Sequence, residues 1–274
     1  MKKAAPVVLV LLALVVAFVV GKGGRSRESV VPLSRAVADH EKAIDRGVGL
    51  ALPLSADEER RMGEELDKQM GSRDPGAAPG TPAASRAALW KELGLTAAAS
   101  PLVTRYRGRY AFRVVKEGGL NAFAGPGGFV YGTEELVTKL AKDPDALLFV
   151  LGHEIGHIEL GHTADSMRYR ADRNDPASAA LSGAASVGRL FVQLHFSSGQ
   201  ELEADAFAVH LLRSLKRDPA AGLRAFDILG LTADKATKRD PGQVAVEGLA
   251  DYFSTHPGAW ERRAALEREA ANTR

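Results

Sequence analysis

The chain has 274 residues, 45% of them hydrophobic, which is enough apolar material for one good-sized globular domain and an appendage. Its formal net charge of +2 is too close to neutral to indicate a nucleic-acid partner, and we expect none. The absence of cysteine excludes disulfides, thiolate nucleophiles and cysteine-ligated zinc.

The N-terminus predicts a membrane segment. Lys2 and Lys3 precede seventeen uncharged, mostly apolar residues, Ala4 to Val20. A helix of that length spans roughly 26 Å, close to the bilayer's apolar core of about 30 Å. Signal-peptide cores are usually shorter and end in an A-x-A-like site. We therefore favour an uncleaved anchor over 1–27, with secretion after signal cleavage as the alternative. Positive charges on both sides of the run are nearly balanced and do not fix its orientation; we expect an extracytoplasmic catalytic domain.

A stalk over 28–53 and a catalytic domain over 54–270 are predicted to follow, the domain containing a Pro/Gly-rich loop at 71–85. Ser55 and Glu58 have the spacing of a capping box at the start of the first helix. A helix around "SRAALWKELGL" follows the loop. Period-2 patterns then predict three short strands, in "RYAFRVVK", "LNAFA" and "FVYG". Four aromatic residues of this region are expected in the core: Tyr110, Phe112, Phe123 and Phe129.

The second half of the chain predicts helices. Thr133 is a candidate cap for "EELVTKLAK", and Asp143 with Pro144 begins a longer helix that should end at Gly161. A charged loop follows, then a small-residue helix over 177–196 that is too polar to be favoured as a second membrane span. The last two predicted helices contain "GQELEADAFAVHLLRSL" and "AWERRAALEREA". The fold class is α+β, mostly helical, with a small β-sheet.

The longer helix carries "HEIGH". His153 and His157 are spaced i, i+4 and lie on one helix face, so both imidazoles can bind one ion. Glu154 lies between them and can take a proton from a zinc-bound water. This is the H-E-x-x-H zinc motif with glutamate as general base.

A carboxylate from "GQELEADAFA" completes the site. Glu201 and Asp205 are also spaced i, i+4; one can bind the metal while the other accepts the free N–H of a ligand histidine. We reject His162 as third ligand because it lies past the helix end, and expect a polar supporting or surface position. Glu203 is expected to be a solvated surface charge. Surface or satisfied core positions are expected for three other histidines: His40, His195 and His210.

"HEIGH" followed by "ELEAD" resembles the H-E-x-x-H…E-x-x-A-D pattern of metallopeptidase family forty-eight. This family of membrane-associated zinc peptidases includes the CAAX prenyl protease, HtpX and Oma-type peptidases. The resemblance covers roughly residues 54 to 265 and includes "LSADEERRMGEEL", "NAFAGPGGFVYGTEEL" and "STHPGAWERR". It implies a zincin-like (gluzincin) fold and a zinc metalloendopeptidase that acts on misfolded or misassembled envelope proteins.

The same resemblance implies roles for individual residues. One Zn²⁺ would be held by His153, His157 and Glu201, with Glu154 as base and Asp205 behind the ligands. His256 would stabilise the oxyanion or cap the zinc in a resting state, supported by Arg262. An edge strand at "GFVYG" would pair with extended substrate, and four residues would bind it: Asn121, Gly127, Gly128 and Phe129. Two alternatives remain, a zinc-binding chaperone-like envelope module without proteolysis and a zinc hydrolase of a non-protein bond.

Overall fold

The computed structural model describes residues 55–71, 79–116, 119–166, 196–230, 256 and 259–271, which all lie within one unit, Ile44–Arg274. The predicted anchor, the stalk and nearly all of the predicted small-residue helix lie outside these ranges, as do His40 and His195. Among the described residues, no helix combines the length and apolar character needed to span a membrane.

The described part is mostly helical with a small sheet, as the sequence predicts. Its helices are α1 (Ala56–Gly71), α2 (Pro82–Ala98), α3 (Glu134–Leu140), α4 (Pro144–Glu159), α5 (Ser198–Ser214), α6 (Ala221–Ile228) and α7 (Ala259–Ala271). Its strands are β1 (Ala111–Val115), β2 (Ala122–Gly125) and β3 (Phe129–Thr133), with a 3₁₀ turn at Pro126–Gly128. The short helix α6 was not predicted from the sequence.

The strand order is β1-β3-β2, with β3 in the centre. It pairs with β1 in parallel and with β2 in antiparallel register. The 3₁₀ turn folds β2 back onto β3, and Gly127 has a φ of 73° there, which favours glycine. The prediction that "GFVYG" forms an edge strand was therefore wrong. Because both sides of β3 are paired, β2 is the outer strand on that side of the described sheet.

Four of the predicted helix ends are confirmed. Ser55 and Glu58 form the reciprocal capping box, since each backbone N–H donates to the other's side chain. The side chain of Thr133 caps α3, and that of Asp143 caps α4. Gly161 follows the last turn of α4 with a φ of 80°.

The predicted loop at 71–85 is too long by several residues. Gly71 is the last residue of α1, and α2 begins at Pro82. The physical reason is local: the Thr81 side chain accepts from the N–H of Ala84, and a proline at the first helical position already has helical φ.

Helix α4 is the centre of the core and packs most extensively against α5. From Ala146 to Leu151 it is buried and apolar, and the four predicted core aromatics of the strand region are buried as well. The two helices approach closely at Gly156, where a Cβ atom would lie 3.2 Å from the carbonyl oxygen of Ala204. This close approach sets the separation between the "HEIGH" histidines and the carboxylates of α5.

Candidate metal centre

Two helices bring the predicted metal-binding residues together in the buried core. Helix α4 supplies His153 and His157, and α5 supplies Glu201; all three are 0% exposed. The Nε2 atoms of the two histidines lie 3.1 Å apart. Glu201 lies 3.5 Å from His153 through Oε2 and 3.4 Å from His157 through Oε1. Three buried polar groups side by side are costly without a shared partner, so the arrangement favours a cation.

His256 joins this cluster from the segment before α7. Its Nδ1 lies 3.3 Å from His153 Nε2 and 3.1 Å from Glu201 Oε1. One atom from each of His153, His157, Glu201 and His256 therefore belongs to a single group that could hold a metal ion. The turn motif around His256 gives no signal for this placement, which the sequence suggested only through the family resemblance.

Asp205 and Arg262 support the cluster from behind. Asp205 Oδ1 lies 2.9 Å from His153 Nδ1. Arg262 donates to both carboxylate oxygens of Asp205 and also pairs with Glu201 Oε2 at 2.8 Å. Since a carboxylate only accepts, it fixes the proton of His153 on Nδ1 and leaves Nε2 free to bind metal.

Glu154 is buried beside the cluster, and neither of its carboxylate oxygens has a hydrogen-bond partner among the described residues. Its Oε1 lies 3.5 Å from His256 Nε2. Burial raises the pKa of Glu154, although His256 and His153 oppose the rise. A buried carboxyl group that has no hydrogen-bond partner and has a raised pKa is typical of a proton-transferring group rather than a structural one.

The charges around the cluster set the pKa values of its members. Burial would raise the pKa of Glu201, but His256 and Arg262 hold it well below its usual range. Burial keeps the pKa of His157 well below its usual value. Burial and Arg262 oppose protonation of His153, yet its hydrogen bonds to Asp205 and Glu201 outweigh them and raise its pKa to about 9. A cation that binds here must displace that proton.

His162 and Phe196 contact His157 directly, and Glu203 is connected to it through His162. His162 Nδ1 lies 3.0 Å from His157 Nδ1, and His162 Nε2 lies 3.0 Å from Glu203 Oε2. Phe196 stacks on the His157 ring with the centroids 3.7 Å apart. His162 is buried in a supporting position, one of the two predicted for it, whereas Glu203, expected to be only solvated, is half-exposed but bonded to it. The signal in the sequence that could have assigned His162 to the site was its position only nine residues after His153.

The residues predicted to bind substrate lie in the packed hairpin. Asn121 is buried, and its backbone exchanges hydrogen bonds with Thr133 across the hairpin. Gly127 is pressed against the backbone of Arg60, whose guanidinium lies over the Phe129 ring, 4.4 Å from its centroid. These contacts give Asn121, Gly127 and Phe129 a packing role, and substrate binding remains a prediction for them and for Gly128.

Metallopeptidases with two histidines and a glutamate as ligands use this kind of centre: H-E-x-x-H on one helix and a carboxylate from another. The fold and site place the chain in that class. Residues 87–270 match the model for peptidase family M48, and the chain belongs to this family.

Three curated proteins are similar to the chain. Metalloprotease LoiP of Escherichia coli is 28% identical over 55% of this chain and 59% of its own length. Mitochondrial metalloendopeptidase OMA1 of Arabidopsis thaliana is 27% identical over 54% of this chain and 29% of its own. The "Putative beta-barrel assembly-enhancing protease" of Vibrio cholerae is 28% identical over 48% of this chain and 31% of its own. The chain thus spans less than two thirds of each relative's length.

Proposed function

We propose that the protein is a zinc-dependent endopeptidase in which Glu154 is the general base. The observation that carries this proposal is Glu154 itself, a fully buried carboxylate without a hydrogen-bond partner among the described residues, beside four potential metal ligands. A structural glutamate in this position would need a partner. The carboxyl group of a general base instead has to remain available to the reacting water.

The donor atoms fit a zinc ion. A tetrahedral zinc site with metal–ligand distances of about 2.0–2.1 Å separates its ligand atoms by about 3.3 Å. The contact distances among the ring nitrogens and carboxylate oxygens of His153, His157, Glu201 and His256 run from 3.1 to 3.5 Å, with both oxygens of Glu201 taking part. One donor atom from each residue lies within 4.8 Å of the other three. Imidazole nitrogens and a carboxylate oxygen are also ligands that zinc accepts.

When bound, zinc supplies Lewis-acid polarisation of the scissile carbonyl and lowers the pKa of a coordinated water. Glu154 accepts one proton from the attacking water and delivers it to the nitrogen of the leaving amine. Its raised pKa favours holding that proton between the two transfers. Arg262 acts through Asp205 and Glu201, which it holds in place.

Two roles are open to His256, and its position supports both. Its Nδ1 is within ligand distance of the cluster, so it can be a fourth ligand that closes the resting site. Its Nε2 faces Glu154 and could instead donate to the tetrahedral oxygen. A His256→Ala variant separates the two roles. Cleavage should increase if His256 caps the metal, and should fall about 100-fold or more if it stabilises the oxyanion.

We further propose that the substrates are misfolded or misassembled envelope proteins and that the N-terminal segment anchors the enzyme, with the catalytic domain outside the cytoplasm. The printed name of the Vibrio cholerae relative, which refers to β-barrel assembly, supports the substrate class. The apolar run after Lys2 and Lys3 supports the anchor. The outer strand β2 lies against α4 and is the candidate to pair with an extended substrate.

The decisive experiment compares the full-length protein with its Glu154→Gln variant, both loaded with zinc, in cleavage of unfolded casein. We expect zinc-dependent cleavage by the first protein and its loss in the variant, with equal zinc content in both. Cleavage that survives in the variant would exclude Glu154 as the base. Absence of zinc from both proteins would exclude the metal centre.

A second function is favoured by the fourth donor atom that His256 contributes. A site closed by four protein ligands is typical of structural zinc, so the protein could be a zinc-binding, chaperone-like module that does not cleave. In that case both proteins of the casein experiment would bind one zinc ion and neither would cleave. The module would also suppress aggregation of casein equally well with glutamine at position 154.

A further inference from the structure

The two cluster histidines of helix α4, His153 and His157, are supported differently. His153 Nδ1 contacts the buried carboxylate of Asp205 directly. His157 instead contacts a second histidine, His162, which in turn contacts Glu203. Asp205 is in turn held by Arg262, which is also buried. The chain of contacts that supports His153 therefore lies wholly in the core. The chain of contacts that supports His157 runs through His162 and ends at Glu203, whose side chain is 52% exposed.

The direction of each hydrogen bond in the second branch follows from its end. The Glu203 carboxylate can only accept, so His162 Nε2 carries a hydrogen and donates. A neutral His162 then has a lone pair on Nδ1, and His157 Nδ1 must donate to it. The remaining nitrogen, His157 Nε2, is left with its lone pair pointing into the metal-binding cluster.

We infer that Glu203 and His162 are positioning residues that fix the tautomer and the ring orientation of His157 for metal binding. The inference rests on the metal centre of the proposed function and adds two residues to it. Phe196 assists by stacking on one face of the His157 ring. Groups that orient a metal-binding histidine typically change metal affinity by 10- to 100-fold when they are removed.

Position 203 offers a matched pair of variants because its side chain is half-exposed. Glu203→Gln keeps an oxygen that can accept from His162, whereas Glu203→Met has a similar length but provides only a weakly accepting sulfur. Both variants lack the charge, so the comparison isolates the hydrogen bond. His210→Gln is the control on the same helix, since His210 is exposed and pairs only weakly with Glu269, at 3.5 Å.

The test measures zinc affinity of the full-length proteins by competition with a fluorescent chelator, independently of peptidase activity. We expect Glu203→Gln and His210→Gln to bind within about threefold of the unsubstituted protein, and Glu203→Met to bind about 10- to 100-fold more weakly. Melting temperatures in EDTA check that the Gln and Met variants fold equally well. His162→Phe should resemble Glu203→Met.

A second measurement reads the tautomers directly. In ¹H–¹⁵N spectra of the zinc-loaded protein, we expect the proton of His162 on Nε2 and that of His157 on Nδ1. Equal affinities of the Gln and Met variants, or a proton on His162 Nδ1, would overturn the inference while leaving the peptidase proposal intact. If even the unsubstituted protein binds no zinc, the metal centre itself is refuted, and the positioning role with it.

Discussion

Arg262 donates a hydrogen bond to each carboxylate oxygen of Asp205, through Nε and Nη2, and both are 2.7 Å long. This bidentate pair is buried, with side-chain exposures of 1% and 3%. Removing one partner of a buried pair leaves an uncompensated charge and typically costs about 3–5 kcal/mol. We therefore expect Arg262→Met to lower the free energy of unfolding by about that much, measured by urea denaturation in EDTA.

Arg263 is the matched control for Arg262. It is the next residue of α7, and it pairs with the half-exposed Asp227. Surface pairs contribute about 0–1 kcal/mol, so Arg263→Met should change the free energy of unfolding by no more than that. Equal effects of the two substitutions would show that the pair with Asp205 is not a special support of the site.

Metal binding should raise the melting temperature. A ligand that binds only the folded state at a concentration of about 100 times its Kd adds about 2.7 kcal/mol. For a domain of this size, that corresponds to a rise of roughly 5–10 °C in Tm on adding zinc to the chelated protein. Glu201→Gln should lose most of this rise because Glu201 is a metal-binding residue of the cluster.

Glu154→Gln provides the control for the thermal experiment. Glu154 lies beside the cluster but is not among the four residues that could hold the ion. The variant should keep the zinc-dependent rise in Tm while losing peptidase activity. A rise that is lost in Glu154→Gln and kept in Glu201→Gln would reverse the roles assigned to the two glutamates.

The spacing of helices α4 and α5 can be tested at Gly156. A Cβ atom there would lie 3.2 Å from both the Ala204 carbonyl oxygen and the Phe207 Cβ, and neither can move without shifting α5. Overpacking of this kind typically costs about 1–3 kcal/mol. We expect Gly156→Ala to lower Tm and also to weaken zinc binding, because α5 carries Glu201.

Gly199→Ala, in α5, is the control for Gly156→Ala, and we expect it to stabilise the protein. Gly199 is an exposed helical position where a new Cβ atom would meet only the Ser197 Oγ, at 3.9 Å. Alanine in place of glycine in a helix stabilises by about 0.5–1 kcal/mol. Stabilisation at both positions would mean that the close approach of the two helices is not tight.

Local sequence signals predicted the ends of the elements well. Thr133 and Asp143 cap helices because short polar side chains satisfy exposed N–H groups, and this needs no tertiary information. The same rule, applied to Thr81 and Pro82, would have placed the start of α2 correctly. The central position of β3, in contrast, depends on which strands meet in space, and no pattern within "FVYG" reports that.

In the candidate site, too, local sequence predicted some features, whereas others depend on tertiary packing. The i, i+4 spacing of His153 and His157 indicated a metal centre because helix geometry alone puts both on one face. The contact between His162 and Glu203 joins residues 41 positions apart and depends on how α4 and α5 pack. Sequence reasoning treated each of them singly, and a lone surface glutamate is usually solvated.

The N-cap of α4 predicts a specific pH dependence of stability. Arg224 Nε donates to Asp143 Oδ2 at 2.6 Å, and the N–H of Ala146 donates to Oδ1. These hydrogen bonds, that of Arg224 first, lower the pKa of Asp143 below its usual value of 3.8. A carboxyl group whose pKa is lower in the folded state stabilises above its unfolded pKa, and the effect is lost as pH falls through the folded pKa.

Asp143→Asn tests this dependence because asparagine can still cap the helix but has no charge. Near pH 7 we expect the variant to be less stable by about 0.5–1 kcal/mol, since Arg224 is partly exposed. The difference should shrink below about pH 4, as Asp143 becomes protonated in both states. Urea unfolding of both proteins from pH 7 to pH 2.5 measures this difference.

Arg224 also contacts Asp218, so a substitution of Arg224 would disturb two ion pairs. Asp143→Asn is therefore the cleaner variant. A difference that stays constant to pH 2.5 would show that the charge of Asp143 does not contribute.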